Sequence, residues 1–360
     1  MNKLGKVNKP FFVAEISANH NGYFNNAKKL IKHAKKYGAN AVKLQTYTAS
    51  SMTLNSRKKY FLVKKGLWKN YDLWSLYKKA HTPYSWHKRL FEYGKKIGIT
   101  VFSTPFDEKA VDFLEKFDCP FYKVASFEMK DLPLIKKIIS TGKHIVISTG
   151  MASLKEIQNT YNAARYFGAK KISLLYCVSN YPSKISDFNM NNIKIMKKKF
   201  NCEIGFSDHS QDFRVVTSAI KAGATIVEKH ISLKNVKALD SNFSISEKDI
   251  GIYKKSLSKK SIDSISHKFY KKILGKKTFH RNFSENESKS YQRSIFSIKK
   301  INKGDIFTNQ NIKKVRPGYG ISPIYFDKIL GLKSPETIKI HEPLKKKLLS
   351  KLNIKKVNFN

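Results

Sequence analysis

Eight short apolar runs recur along the chain, and nearly every one ends in a small group of polar residues. They are Phe11–Ser17 (FFVAEIS), Ala41–Thr46, Thr100–Phe106, Phe121–Phe127, His144–Gly150, Ile172–Val178, Glu203–Asp208 and Thr225–Ser232. The stretches between them repeat at a helical period. In the first, Ala27, Leu30, Ile31 and Ala34 fall on one face, lysines take the opposite face, and Gly38 stands where the helix should end. Ser153–Glu156 (SLKE) reads as a capping box opening a helix that closes at Gly168. The same spacing predicts helices over 84–97, 107–117, 130–140, 188–199, 212–222 and 247–259. Eight strand–helix units in succession predict an α/β fold, a (β/α)8 TIM barrel whose chemistry gathers at the C-terminal ends of its strands.

The rhythm stops near residue 260, so the barrel is assigned to residues 1–260. Residues 261–289 are polar and charged and read as a helix followed by a linker. From 290 to 350 the pattern changes to short strands, a turn at Lys303–Asp305 (KGD) and the motif RPGYG at Arg316–Gly320, the marks of a small separate domain. Residues 351–360 are expected to be a disordered tail. The long insert 47–83, with Trp68, Trp74 and Tyr77, has the length of a functional loop or lid over the barrel mouth.

Composition changes this picture little. No apolar run approaches the ~20 residues needed to span a bilayer, and MNKLGKVNKPFF has no signal-peptide core, so the expected location is cytoplasmic with no membrane partner. Cys119, Cys177 and Cys202 show neither metal-site spacing nor a disulfide framework. The formal charge of +44 comes from 70 Lys plus Arg against 26 Asp plus Glu, yet the lysines are scattered over every predicted helix. That reads as compositional bias, with steering of anionic substrates as a by-product. Nucleic acid is not an expected partner, because no helix-turn-helix, zinc-finger or RNA-binding signature is present.

The chemistry-bearing residues cluster at strand ends. His209 follows the seventh run and His230 nearly closes the eighth, and adjacent parallel strands are ~4.8 Å apart, so both imidazoles can reach one divalent metal. Lys43 and Lys123 interrupt strands that otherwise read as core, which suits anion binding or, for Lys123, a Schiff base. Thr104, Ser126, Ser148 and Ser207 accompany them. Ser148-Thr149-Gly150 precedes a helix start, where free amide groups could hold phosphate. Glu15 ends the first strand, Glu128 follows the fourth within reach of Lys123 and Ser126 as an acid or base, and Asp240 lies beyond the eighth.

Taken together, EISANHNG (15–22), VKLQTYT (42–48), STPFD (103–107), YKVASFE (122–128), ISTGM (147–151), GFSDHS (205–210), EKHIS (228–232) and RPGYG (316–320) resemble the sialic acid synthase family over roughly residues 10–350. The resemblance implies condensation of phosphoenolpyruvate with an open-chain amino sugar, and a C-terminal domain similar to antifreeze proteins (SAF). Within the family, GLWKNYDLWSLYKKAHTPYSWH (66–87) resembles the branch that makes pseudaminic acid, which implies 2,4-diacetamido-2,4,6-trideoxy-L-altrose as acceptor. A synthase for N-acetylneuraminate or legionaminate is the alternative. Carried over by residue, the resemblance implies that His209 and His230 hold manganese, with magnesium or cobalt as substitutes. Lys43, Thr104, Lys123, Ser126, Ser148 and Ser207 match the phosphoenolpyruvate pocket, and Glu128 a catalytic carboxylate. Glu15, Gln45, Ser179, Tyr181 and Asp240 match sugar-side positions. Arg316 matches an arginine inserted into the barrel of a partner, which implies a domain-swapped homodimer. Two departures stand out: Ser179 replaces the asparagine of the sialic branch, and the loop NVKALD before Asp240 lacks the family's glycine.

Overall fold

The apolar runs become strands, each ending where its polar residues turn into the loop above. The computed structural model describes Leu4, Gly5 and residues 9–359, so most of the N-terminal stretch read for targeting lies outside the described residues. The strands are β1 (Phe11–Glu15), β2 (Ala41–Thr46), β3 (Thr100–Pro105), β4 (Phe121–Val124), β5 (His144–Ser148), β6 (Ile172–Cys177), β7 (Glu203–Asp208) and β8 (Ile226–Ser232). They pair in parallel in chain order, and β1 also pairs with β8, which closes the ring. The fold is therefore a closed eight-stranded α/β barrel. A two-residue strand β9 (Ile245–Ser246) extends β8 outside the ring.

Helices pack around the ring through the faces their spacing predicts. Helix Phe24–Lys36 buries Ala27, Leu30, Ile31 and Ala34. Helix Leu154–Tyr166 opens on the Ser153–Glu156 capping box, with both reciprocal hydrogen bonds formed. The helix expected over 247–259 is instead two, Ile250–Ser256 and Lys259–Ser264, because the Ser258 side chain caps the amide of Ser261 and restarts the helix.

Register decides what meets at the top of the barrel. Glu15 pairs with Lys43 on one side and His230 on the other, and Ser207 pairs with both Cys177 and Glu228. Side chains alternate across a strand, so Glu228 and His230 face one way and Lys229 the other.

Beyond the barrel, strands β10 (Ser294–Ser297) and β11 (Ile312–Val315) form an antiparallel pair. Their Phe296 and Val315 join one apolar cluster with Tyr47, Phe61, Leu73, Leu76 and Tyr77 of the long insert. The insert is thus a wedge between barrel and C-terminal domain rather than a free lid. The final segment also differs from expectation. Val357 is buried, the Phe359 amide donates to Asn159 Oδ1 (2.8 Å), and Asn162 Nδ2 donates to the Phe359 carbonyl (2.8 Å). The Phe359 ring packs on Tyr166 and Phe167, so residues 357–359 gain enough apolar contact to dock instead of staying loose.

Candidate active site

One cavity of about 160 Å³ opens at the C-terminal ends of the strands. Among its lining residues are Lys43, Gln45, Lys123, Ser126, Ser148, Tyr181, Ser207, His209, His230, Asp240 and Arg316, so most of the residues singled out in the sequence converge. Thr104 lies just outside and accepts a hydrogen bond from Lys43 Nζ (3.2 Å). Ser179 is fully buried beneath Gly150, and Glu15 sits behind Lys43.

The floor is a charge network. Lys43 Nζ pairs with Glu15 and lies 3.7 Å from Glu228. Lys123 Nζ donates to Ser148 Oγ (2.5 Å) and to the Val124 carbonyl (3.0 Å). Burial pushes the Glu15 carboxyl up to about 7, because desolvation outweighs Lys43 and the neighbouring Glu228 adds to it. Burial also works against the charge of Glu228, but Lys123 and Lys43 outweigh it and hold that carboxyl below its ordinary value. Burial holds the Lys123 ammonium below the usual lysine range. Glu228 was missed in the sequence; its place two residues before His230, on the same strand face, is the signal that could have found it.

Glu128 differs from expectation. Its carboxylate accepts from Arg293 Nε (3.1 Å) and from Arg316 Nη2 (2.8 and 3.0 Å), and it does not line the cavity. A carboxylate engaged by two guanidinium groups is an anchor for Arg316, not a free acid or base. Arg316 is further fixed by Tyr77 Oη (3.2 Å) and by the Phe127 ring, 4.6 Å from its central carbon. It reaches the barrel of its own chain, whereas the resemblance implies a partner's. Residues 281–293 lead to it across the mouth of that barrel, through Arg281, Glu285 and Arg293.

The amide cradle expected at Ser148-Thr149-Gly150 is already taken. The Thr149 amide donates to Leu175, the Gly150 amide to Ser126 Oγ (3.0 Å) and the Met151 amide to Glu285, and the helix starts only at Leu154. An anion here must be held by side chains. Asp240, despite the missing glycine, is well placed: it accepts from Ser17 Oγ and the Ala18 amide (3.3 Å), and Gln45 donates to the same Ser17 Oγ (3.0 Å).

The imidazoles of His209 and His230 stand 5.5 Å apart, centroid to centroid. His209 Nδ1 is 2.8 Å from the Val178 carbonyl, which leaves Nε2 free, and the buried Nδ1 of His230 has no partner. Burial lowers His209 to about 4 and His230 well below the imidazole range, so both are neutral donors near pH 7. Among the described residues no cluster of three or more His, Cys, Asp or Glu is placed to hold a metal. Two neutral imidazoles with an orphaned nitrogen fit an open metal site completed by water or substrate. Behind them, Lys229 is fully buried and donates to the carbonyls of Ser210 and Phe243 (3.4 Å for the latter), tying the loops after β7 and β8 together.

Above the cavity, Trp68 of the insert donates to the Leu239 carbonyl (3.3 Å), its ring 6.1 Å from Tyr181 and 6.5 Å from Phe243. Trp68, Tyr181, Ser288 and Tyr291 also line an outer vestibule of about 310 Å³ that carries Lys64 and Lys65.

Fold and site together define a closed barrel in which two buried lysines, two neutral imidazoles and an arginine from a second domain converge on one cavity. Residues 30–261 match the NeuB family and residues 292–350 the SAF domain. The chain belongs to the NeuB family, the sialic acid synthases that its motifs resemble. It is 38% identical to pseudaminic acid synthase of Campylobacter jejuni over 95% of this chain and 98% of that one. It is 39% identical to pseudaminic acid synthase of Helicobacter pylori over 93% of this chain and 96% of that one. Among solved structures, the spore coat polysaccharide biosynthesis protein SpsE of Bacillus subtilis superposes with a TM-score of 0.80 at 26% identity, covering 94% of this chain and 95% of that chain. No helix among the described residues is long and apolar enough to cross a membrane.

Proposed function

We propose that this chain condenses phosphoenolpyruvate with 2,4-diacetamido-2,4,6-trideoxy-L-altrose to give pseudaminic acid and inorganic phosphate. The observation that carries the reading is the meeting of Lys43, Lys123, Glu228, His209 and His230 in one cavity under Arg316. The sugar follows from the pseudaminic acid synthases above and from the insert, whose Trp68, Leu76, Tyr77 and Ala80 form an apolar wall suited to acetamido methyls and a 6-deoxy carbon.

Lys123, Ser126, Ser148 and Ser207 hold the phosphate and carboxylate of phosphoenolpyruvate, and Lys43 adds charge beneath them. Asp240, Gln45 and Tyr181 orient the sugar, and Arg316 closes over it. His209 and His230 would hold a divalent metal, manganese by resemblance, which supplies Lewis-acid polarisation of the aldehyde oxygen. C3 of phosphoenolpyruvate bonds to the aldehyde carbon, water adds at C2, and the C2–O bond to phosphate breaks. The new hydroxyl needs a proton and the adding water must lose one. Glu228, held ionised at the cavity wall, can take the water's proton and pass it to the hydroxyl, whereas Glu15, behind Lys43, does not line the cavity. A homodimer in the cytoplasm completes the reading; the free thiols of Cys119, Cys177 and Cys202 suit a reducing compartment.

The test is phosphate release with phosphoenolpyruvate and manganese, comparing the altrose sugar with N-acetylmannosamine and weighing the products by mass spectrometry. Turnover with the altrose sugar alone is expected. Turnover with N-acetylmannosamine instead would keep the chemistry and overturn the sugar. Turnover that survives chelation and yields a borohydride-trapped Lys123 adduct would replace the metal route with a Schiff base.

A further inference from the structure

Between helix His267–Leu274 and β10 the chain crosses the barrel mouth, and residues 275–291 of this stretch lie outside both family matches. Two of its side chains reach into the ends of β5 and β6. Arg281 donates through Nε to the Ala152 carbonyl (2.9 Å), through Nη1 to Cys177 (2.7 Å) and through Nη2 to Thr149. Glu285, 1% exposed, accepts with a single oxygen from the amides of Met151 (2.8 Å) and Ser179 (2.9 Å). Buried main-chain groups need such partners, and here five of them on two loops bond to two side chains from outside the barrel.

Those loops carry the anion end of the cavity. Ser148 precedes one, Ser179 of the other packs against Gly150, and the Gly150 amide holds Ser126 Oγ at 3.0 Å. Met151 sits at φ +63°, a left-handed conformation that a side-chain-bearing residue adopts only under constraint, and its amide is one of the two that Glu285 holds. There is no slack between the loops: a Cβ on Gly150 would lie 2.1 Å from Ser179 Oγ and 2.9 Å from Ser126 Oγ. A small slip of either loop therefore moves Ser126.

We infer that Arg281 and Glu285 are positioning residues for phosphoenolpyruvate binding: they staple the β5 and β6 loops so that Ser126 and Ser148 face the cavity in register. The inference rests on the function proposed above. It holds whether the staple sits on the barrel of its own chain or on that of a second copy, since the contacts are the same.

The experiment compares Glu285→Ala with Glu285→Gln. Glutamine keeps an oxygen that accepts from both amides; alanine leaves both unpaired. Glu285→Ala should raise the KM for phosphoenolpyruvate about tenfold with the sugar KM and kcat little changed, while Glu285→Gln stays within about twofold of the parent. Arg281→Lys, a milder change that loses the forked contact, should raise the same KM and covers the case in which Glu285→Ala does not fold. Amide hydrogen exchange at Met151 and Ser179 should quicken in Glu285→Ala and not in Glu285→Gln. A phosphoenolpyruvate KM within about twofold of the parent in the folded variants, or glutamine no better than alanine, overturns the inference. A parent protein that releases no phosphate instead sinks the proposed function, and the exchange comparison still decides the staple: unchanged protection at both amides in Glu285→Ala overturns it.

Discussion

At the scale of single residues, the active site depends on sharing. Lys43 serves two carboxylates whose environments part them: burial pushes Glu15 up, while Lys123, with Lys43, holds Glu228 down. Glu128 serves two arginines. Replacing Glu128 with glutamine leaves two buried guanidinium groups without a counter-charge and should cost about 3–5 kcal/mol of stability, read as a lowered urea midpoint with an unchanged slope. His209→Ala should lose metal-dependent turnover and tight manganese binding by calorimetry while its circular dichroism stays that of the parent; retained binding would remove the metal assignment. Period-two alternation could have exposed Glu228 beside His230. Nothing in sequence, by contrast, distinguishes Glu128 as an anchor, because Arg293 and Arg316 lie more than 160 positions away and only the fold brings them near.

Among the elements, strands were the most legible and loop ends the least. A buried parallel strand must be a continuous apolar run, and β2 and β7 coincide with theirs. The amides after β5 were misread because their partners, Leu175, Ser126 and Glu285, come from three other segments. The insert looked like a lid since its length alone was visible, not the apolar cluster it shares with Phe296 and Val315. Trp68 stands where cavity and vestibule meet, and Trp68→Ala should raise the sugar KM about tenfold while leaving that of phosphoenolpyruvate within about twofold. Equal effects on both substrates would mean that Trp68 supports the fold of the insert rather than the sugar side.

The whole molecule has an acid weakness that follows from its buried imidazoles. Burial lowers His20, His87 and His144 each to about 4. The unfolded chain takes up these protons near pH 6.5 and the fold refuses them, so each costs about 1.4 kcal/mol per pH unit as pH falls from about 6.5 to about 4. Glu15 runs the other way: its raised value adds stability below its ordinary pKa of 4.5 that is lost as pH rises through about 7. These imidazoles, joined by His209 and His230 when no metal is bound, outweigh Glu15 and predict a melting temperature that declines on acidification through that window, by scanning calorimetry; a flat profile would contradict their burial. Quaternary structure is open to a mixing experiment at subsaturating sugar. In a swapped homodimer, combining His209→Ala with Arg316→Ala subunits restores about a quarter of parent turnover, since one site in each mixed dimer receives both intact groups. With Arg316 in its own barrel, mixing restores none. The family resemblance predicts restoration, against the own-chain contact of Arg316 with Glu128, and an absence of restoration would keep Arg316 in its own barrel.

The two-arginine anchor also sets a rule for building chimeras from relatives of this family. A graft that joins one relative's barrel to another's C-terminal domain at the obvious seam near residue 290 would part Arg281 and Glu285 from Arg293 and Arg316, although all four dock on the same barrel mouth. The exchangeable cassette starts upstream of Arg281, and a recombination library that respects that junction should return soluble, active hybrids at a higher rate than one cut at the domain seam.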